Sequence, residues 1–476
     1  MNRNLLTGFP VFLGLFFLSG TLFSAPQKPN VILFVVDDLG WRDLGCQGSE
    51  YYRTPNIDLL AAEGVRFTTA YAACAVCSPT RAAILTGQYP ARLLLTQWLP
   101  AGRWDRNKHT MQEGRFLRSL PLETVTIAEA LRESGYSTWH VGKWHLGGAP
   151  FSLPEHHGFD VNIAGSDHGA PGSYFFPFEG DWKIPTTELL VHKQTLPDGK
   201  DGDYLTDRLT DEVVDRIENR PPEEPFFLHF AYYNVHTPLE GKPELMERYE
   251  RIPKNERQGP PAYAAMVESV DESVGRVLDA LERSGARENT CIIFTSDNGG
   301  FAKATDNAPL RANKGSHYEG GIRVPLVISG AGVGQDAPGQ IDLPVISCDL
   351  FPTILAITET PPLETDGSNL THLFQKDAED SREDTRALFW HYPHYNKHPH
   401  SAPVSIIRKG PWKLIEFLET EKLELYHLHN DPGESADLSD KETTRVSEML
   451  KELHEWKRSV RAEPMSPNHT PKQTAP

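Results

Sequence analysis

The sequence predicts an α/β fold: a large, mostly parallel sheet flanked by helices, followed by a smaller antiparallel sheet with one packing helix. Three observations predict it. Val31 to Val36 (VILFVV) is a continuous apolar β-type run without alternation, as expected of a strand buried on both faces of a parallel sheet, and similar runs recur at Phe226 to Phe230, Cys291 to Thr295 and Val324 to Ile328. Helical patterns lie between these runs over most of the first 360 residues. Beyond a Pro-, Asp-, Glu- and Thr-rich stretch at Thr360 to Ser381, the pattern changes to short β-type segments.

The elements follow in order. Residues 1–24 read as a secretory signal peptide: Arg3 is the positive start, Val11 to Leu18 the apolar core, and Leu22-Phe23-Ser24 the cleavage context. The alternative, a membrane anchor, is disfavoured because the run is short and broken by Gly8, Pro10 and Gly20. The mature chain is expected to be exported, periplasmic or secreted, with no membrane anchor. Thr54-Pro55 opens a helix as N-cap and first-turn proline. Thr126 and Glu129 form a capping box for a helix stopping near Gly135, and Ala262 to Ser284 is a long helix ended by Gly285. The catalytic unit is expected over 25–380 and a small α+β subdomain over 381–462. The latter is built from Arg386 to Trp390, Val404 to Arg408, Trp412 to Phe417, Leu423 to His427 and an amphipathic helix from about Lys441 to Val460. The tail, 463–476, is Pro- and Thr-rich and is expected to be disordered.

Composition narrows the function. Lys and Arg total 47 against 65 Asp and Glu, a formal charge of −18, which opposes general nucleic-acid binding and requires a locally positive pocket for any anionic substrate. Five cysteines in 476 residues exclude a disulfide-built scaffold. Cys46, Cys74, Cys291 and Cys348 are expected mostly buried and unpaired.

Three constellations carry chemistry. Asp37-Asp38 follows the first strand and Asp297-Asn298 follows Cys291 to Ser296; sites of parallel sheets form at such strand ends. Three carboxylates and an amide oxygen make a hard-oxygen cation site, for Ca²⁺ or Mg²⁺ rather than Zn²⁺. Second, in Cys77-Ser78-Pro79-Thr80-Arg81, Ser78 can N-cap a helix opened by Pro79, placing Cys77 at its positive end, with Arg81 turning back toward it. Cys74 gives a Cys-x-x-Cys spacing, but no second pair or nearby His completes a zinc set. Third, Lys143 and His145 share a face of an extended segment, His236 follows the Phe226 to Ala231 strand, and Lys314 comes shortly after Asp297-Asn298. Each alone reads as a surface charge or a satisfied histidine; together they follow core strands and can converge on one sheet edge.

These residues resemble the formylglycine-dependent sulfatases of the alkaline-phosphatase-like superfamily. Cys77-Ser78-Pro79-Thr80-Arg81 matches the family's Cys-x-Pro-x-Arg signature, and Asp37-Asp38, Lys143-x-His145, His236-Thr237-Pro238, Asp297-Asn298, Lys314 and Gly320-Gly321-Ile322-Arg323-Val324-Pro325 match its other motifs in order. The resemblance implies that a maturation enzyme oxidises Cys77 to formylglycine. It implies Ca²⁺ on Asp37, Asp38, Asp297 and Asn298, with the modified Cys77 close to it. In the mechanism the resemblance implies, one hydroxyl of the hydrated aldehyde would attack sulfur as the alcohol leaves, and the second would then expel sulfate from the covalent intermediate. Arg81, Lys143 and Lys314 neutralise charge, His236 and Lys314 serve the leaving oxygen, His145 acts as base in the elimination, and Asp297 is a candidate base for the first attack. An arylsulfatase, or a phosphodiesterase or phosphonate hydrolase on the same fold, is the alternative; a serine hydrolase is excluded for lack of a Gly-x-Ser-x-Gly elbow.

Selectivity must then come from loops. His156 to Pro177 and Trp390 to His400 are rich in His and aromatics, like the loops of bacterial polysaccharide sulfatases. The expected substrate is a sulfated saccharide, of galactose type and cleaved at a chain end, with His168, His391 and His394 as candidate sugar contacts.

Overall fold

The computed structural model describes residues 1, 27–99, 105, 107–183, 189–192, 196, 199–374 and 386–469. The expected signal segment and part of the 360–381 stretch lie outside them. The main strands in chain order are β1 (Asn30–Val36), β2 (Val65–Tyr71), β3 (Ser137–Gly142), β4 (Val161–Ile163), β5 (Phe226–Ala231), β6 (Thr290–Ser296), β7 (Arg323–Gly330), β8 (Gln340–Ile341) and β9 (Val345–Ile346). They form one nine-stranded sheet in the order β8-β2-β7-β6-β1-β5-β3-β4, with β9 also pairing β2. β7 runs antiparallel to both neighbours. The other pairings are parallel.

β1 shows why its sequence does not alternate. Ile32, Phe34 and Val36 enter one buried cluster, with helices α1 (Pro55–Glu63), α4 (Leu205–Asn219) and α5 (Pro261–Arg283). Val31, Leu33 and Val35 enter a second cluster on the opposite face, with α2 (Cys77–Thr86), α3 (Ile127–Glu133) and α6 (Leu350–Ile357). Both faces are covered, so both parities must be apolar. The Thr126–Glu129 capping box at the start of α3 is present as the sequence predicts.

The second sheet is β10 (Ala387–Tyr392), β11 (Val404–Lys409), β12 (Trp412–Phe417) and β13 (Leu423–His427), antiparallel throughout. One face (Trp390, Tyr392, Ile406, Ile415, Tyr426) packs on Tyr71, Cys74 and Ile322 of the large unit. The other (Ile407, Leu414, Leu425) packs on Val446, Met449 and Leu453 of α7 (Thr443–Ser459). The small sheet is thus sandwiched, not appended.

Two expectations are corrected. The start of the tail is ordered: Ser466–Pro467 pairs antiparallel with Met111–Gln112, and Glu463 accepts two hydrogen bonds from Arg115, at 2.6 and 3.0 Å. Polar composition alone misses this, because the partner is a loop some 350 residues earlier; residues 470–476 lie outside the described residues. Second, α2 begins at Cys77, with Val76 rather than Ser78 at the cap. The Ser78 hydroxyl instead accepts the backbone N–H of Leu99 at 3.1 Å. All five cysteines are unpaired; Cys46 is part-exposed and the others are buried. Among the described residues no helix is long and apolar enough to cross a membrane.

Candidate active site

The register of β1 and β6 builds the site. Val36 sits opposite Ser296, so the next residues, Asp37 and Asp297, leave the sheet side by side. Asp37 then exchanges backbone hydrogen bonds with Asn234 and Val235 at 2.9 and 2.8 Å, which draws in the loop carrying His236. On the far side of β5, Gly142 sits opposite Ala231 and Lys143 follows. Gly142 is required there: φ is +96°, and a Cβ would lie 2.0 Å from the Ala231 carbonyl oxygen.

Three buried cations meet three buried carboxylates one to one. Lys143 Nζ is 2.6 Å from Asp37 Oδ2, Lys314 Nζ is 2.5 Å from Asp38 Oδ1, and Arg81 Nε donates to Asp297 Oδ2 at 2.8 Å. Arg81 Nη1 also donates to the Lys143 carbonyl at 2.9 Å. Ligand atoms of Asp37, Asp38 and Asp297 lie within 4.8 Å of one another. Asn298 Nδ2 donates to Asp38 Oδ1 at 2.8 Å, turning its amide oxygen away. That oxygen and Asp37 Oδ1 are buried with no hydrogen-bond partner, as is Arg81 Nη2. Unpartnered buried oxygens are costly. An all-oxygen donor set with two such atoms fits a hard divalent cation, held by Asp37, Asp38, Asp297 and Asn298.

The electrostatics agree. Burial pushes Asp37 up to about 8 despite Lys143, with Asp297 and Asp38 adding like charge, as expected where carboxylates crowd without a cation. Burial also acts against ionised Asp38, but Lys314 and His236 outweigh it and hold that carboxyl well below the usual range. Burial opposes the charge of Lys314, yet Asp38 and its other acidic neighbours raise it and keep it protonated.

Cys77 is buried, its Sγ 3.4 Å from His145 Nδ1, and burial pushes the thiol up. His145 Nε2 is 2.6 Å from the Leu99 carbonyl oxygen, which can only accept. The proton therefore sits on Nε2, and Nδ1 presents its lone pair to position 77. Burial and Lys143 hold this imidazole neutral. His145 and Asp38 both adopt left-handed φ, 59° and 64°, strained conformations typical of functional sites. The turn at His145 breaks the extended segment the sequence implied, so Lys143 and His145 reach different partners. His236 Nδ1 is 2.8 Å from the Thr237 carbonyl oxygen, and its Nε2 is 3.8 Å from Asp38 Oδ2.

Cys77, Arg81, Lys143, His145, His236, Lys314 and the four oxygen ligands thus come together. Of the three candidate sugar contacts, His168 stands at the edge of this site, and His391 and His394 do not reach it. His168 sits in a part-exposed loop beside Gly169, which lies against the His145 ring; its Nε2 is 3.7 Å from Asp167 Oδ1. His391 is buried, with Nδ1 2.8 Å from Ser405 Oγ and Nε2 2.8 Å from the Glu463 carbonyl oxygen. His394 is buried, with Nε2 2.7 Å from Thr96 Oγ1 and Nδ1 3.1 Å from Glu113 Oε2. Both ring nitrogens of each are engaged within the chain, which corrects their assignment to a sugar. The part of that loop nearest the site is 396–398: Asn396 Nδ2 donates to the Gly315 carbonyl at 3.0 Å, and the His398 side chain packs over Gly315. Sequence reasoning also misses Leu99, whose role is played by a backbone carbonyl that no side-chain pattern reveals.

The chain also matches known proteins in sequence and fold. The family model described as Sulfatase matches residues 29–360, and that described as N-sulphoglucosamine sulphohydrolase, C-terminal, matches 312–461. The chain is 33% identical to a sulfatase of Formosa agariphila, over 88% of this chain and 86% of that one. It is 31% identical to N-acetylgalactosamine-6-sulfatase of Homo sapiens, over 87% and 82%. The crystal structure of Ps i-CgsB in complex with k-i-k-neocarrahexaose superposes with a TM-score of 0.72 at 31% identity, over 90% of this chain and 93% of that one. The chain belongs to the formylglycine-dependent sulfatase family and is a sulfuric ester hydrolase.

Proposed function

We propose that the protein removes sulfate from a sulfated saccharide, with Ca²⁺ and a formylglycine made from Cys77, after export by its N-terminal segment. The observation that carries this reading is the one-to-one pairing of three cations with three carboxylates around position 77. With all three carboxyls ionised, as a bound cation would keep them, those six charges cancel. A divalent cation on the carboxylates leaves the pocket positive, so it attracts a sulfate monoester against the chain's net charge of −18. When present, the two groups supply charge neutralisation of the sulfate and a hydrated aldehyde as nucleophile.

The chain's own residues do the rest. Arg81, Lys143 and Lys314 hold the sulfate oxygens. Lys314, kept protonated beside Asp38, is the proton donor closest to hand for the departing alcohol, with His236 beside the same carboxylate. His145 Nδ1 receives a proton from position 77 in the step that frees sulfate, and its Nε2–H on Leu99 fixes the tautomer that can do so. A saccharide of galactose type is supported by the name of the N-acetylgalactosamine-6-sulfatase relatives.

The test is a substrate panel with the matured protein: sulfated galactose-type saccharides, an aryl sulfate, and phosphate mono- and diesters. Sulfate release from saccharides is expected, and removal of Ca²⁺ by chelation is expected to lower both turnover and Tm. Faster cleavage of the phosphate esters, or a Tm indifferent to chelation, would overturn the reading.

A further inference from the structure

One fully buried charged cluster lies outside the chemistry above. Lys413, on β12, has Nζ 3.0 Å from Glu319 Oε1 and 2.9 Å from Glu434 Oε1, and all three side chains are 0% exposed. Tyr71 OH donates to Glu319 Oε2 at 2.7 Å, and the Glu319 backbone N–H donates to Glu434 Oε2 at 2.7 Å. Both the side chain and the backbone of Glu319 are therefore held by residues of the C-terminal subdomain. Such a cluster contributes little stability, because desolvation of the charges offsets their attraction; an uncharged cluster of similar volume is often as stable or more so. What it fixes is geometry.

The geometry in question is the segment 311–323, which carries Lys314. Lys314 N–H donates to the Gly300 carbonyl at 3.0 Å, and Gly315 N–H to the Ala75 carbonyl at 2.7 Å, two residues before Cys77. Gly299, next to the ligand Asn298, donates to the Gly321 carbonyl at 2.9 Å. This segment packs backbone on backbone: a Cβ on Gly321 would lie 1.8 Å from the Ser316 carbonyl oxygen. Its placement rests on its anchors: Tyr318 and Ile322 pack against the small sheet, Arg311 donates to Tyr426 OH and the Glu434 carbonyl, and Glu319 is its one fully buried acid tied to that sheet.

We propose that Lys413, with Glu434, is a positioning residue of the sulfatase reaction. Acting through Glu319, it fixes the backbone that carries Lys314 and abuts Asn298, so the small sheet governs turnover at the centre. This rests on the roles assigned above to Lys314 and Asn298.

The test uses the full matured chain and the triple variant Lys413→Met/Glu319→Gln/Glu434→Gln, which removes the charges of these three residues at nearly constant volume and leaves Arg323, 3.8 Å from Glu319 Oε2, on the Thr68 carbonyl. Tm is expected at or above wild type. Aryl sulfate kcat is expected to fall about 10- to 100-fold, the scale of a sub-ångström to ångström misplacement, with KM within about 3-fold. The Ca²⁺ midpoint from a Tm titration, which needs no activity, is expected to shift to higher concentration. The single variant Glu434→Gln, which leaves the Lys413–Glu319 pair, should recover most of kcat. A stable triple variant with wild-type kcat and Ca²⁺ midpoint would overturn the proposal. So would a triple variant that fails to fold, since the cluster would then be needed for stability. Wild-type protein that cleaves no sulfate ester would sink the functional reading instead, leaving the shift in Ca²⁺ midpoint to decide this one.

Discussion

His145 and His394 are both buried histidines with two engaged nitrogens, yet they play opposite parts. His145 gives one nitrogen to a backbone carbonyl and the other to Cys77. His394 gives both to the fold, through Thr96 and Glu113. His145→Ala is expected to lower kcat by about 10²- to 10⁴-fold, the size of a lost acid–base group, on protein that stays folded despite the unpaired Leu99 carbonyl; a kcat within about 3-fold of wild type would contradict the role. His394→Ala strands two buried partners and is expected to cost about 1–3 kcal/mol of stability. It should slow aryl and saccharide sulfates alike, measured by denaturant unfolding and parallel assays; a loss confined to the saccharide would restore the sugar contact. The difference explains what the sequence could tell. Cys77 to Arg81 and the paired acids lie within a few residues of one another and of strand ends, so local pattern exposes them. The partners of His391 and His394 come from residues 405, 463, 96 and 113, which no local pattern joins to them.

At the scale of elements, the site is made by strands that end together. β1 and β6 are in register to their last residues, and β3 reaches the same edge through Gly142. Gly142→Ala must move the Ala231 carbonyl or leave its left-handed φ; a cost of about 1–3 kcal/mol or more is expected, with kcat lowered through Lys143. Wild-type stability and kcat would show the turn to be tolerant. The buried parallel strands were legible because burial on both faces imposes continuous apolar runs. β2 was not, since its Val65–Tyr71 sequence mixes buried and half-exposed positions beside the antiparallel β7. The ribbon of Ser466–Pro467 on Met111–Gln112 makes the tail a structural element. Deleting residues 463–476 is expected to speed amide exchange at 109–114, where Asn468 otherwise holds His109 and Thr110; unchanged exchange there would mean the loop holds itself.

Across the whole molecule, two sets of buried groups oppose each other in the pH response: burial raises Asp37, Glu434, Asp43 and Asp271 to about 8, 7, 6 and 6, which favours the folded state as pH falls below those values, while buried imidazoles act the other way. Burial pushes His140 and His317 down to about 3 and His157 and His391 down to about 4. These groups stay neutral in the folded chain, whereas the unfolded chain protonates them near 6.5. At these rings the unfolded state therefore binds more protons as pH falls below about 6.5, and their contribution to stability drops toward pH 4, each such histidine by up to about 1.4 kcal/mol per pH unit. NMR of the imidazole resonances is expected to show His140, His157, His317 and His391 still neutral at pH 5 in the folded chain; protonation of these rings with a midpoint near 6.5 would contradict their assignment as neutral.

Position 77, once oxidised, is proposed as the nucleophile of a cation-dependent saccharide sulfatase. This role is tested most directly by inorganic sulfate release from a sulfated galactose-type saccharide, using protein whose Cys77 peptide is shown by mass spectrometry to carry the aldehyde, beside unmodified protein and Cys77→Ala. The account predicts release that scales with the converted fraction, requires Ca²⁺ and vanishes in Cys77→Ala while the fold persists. Equal release from the unmodified protein or from Cys77→Ala would contradict it.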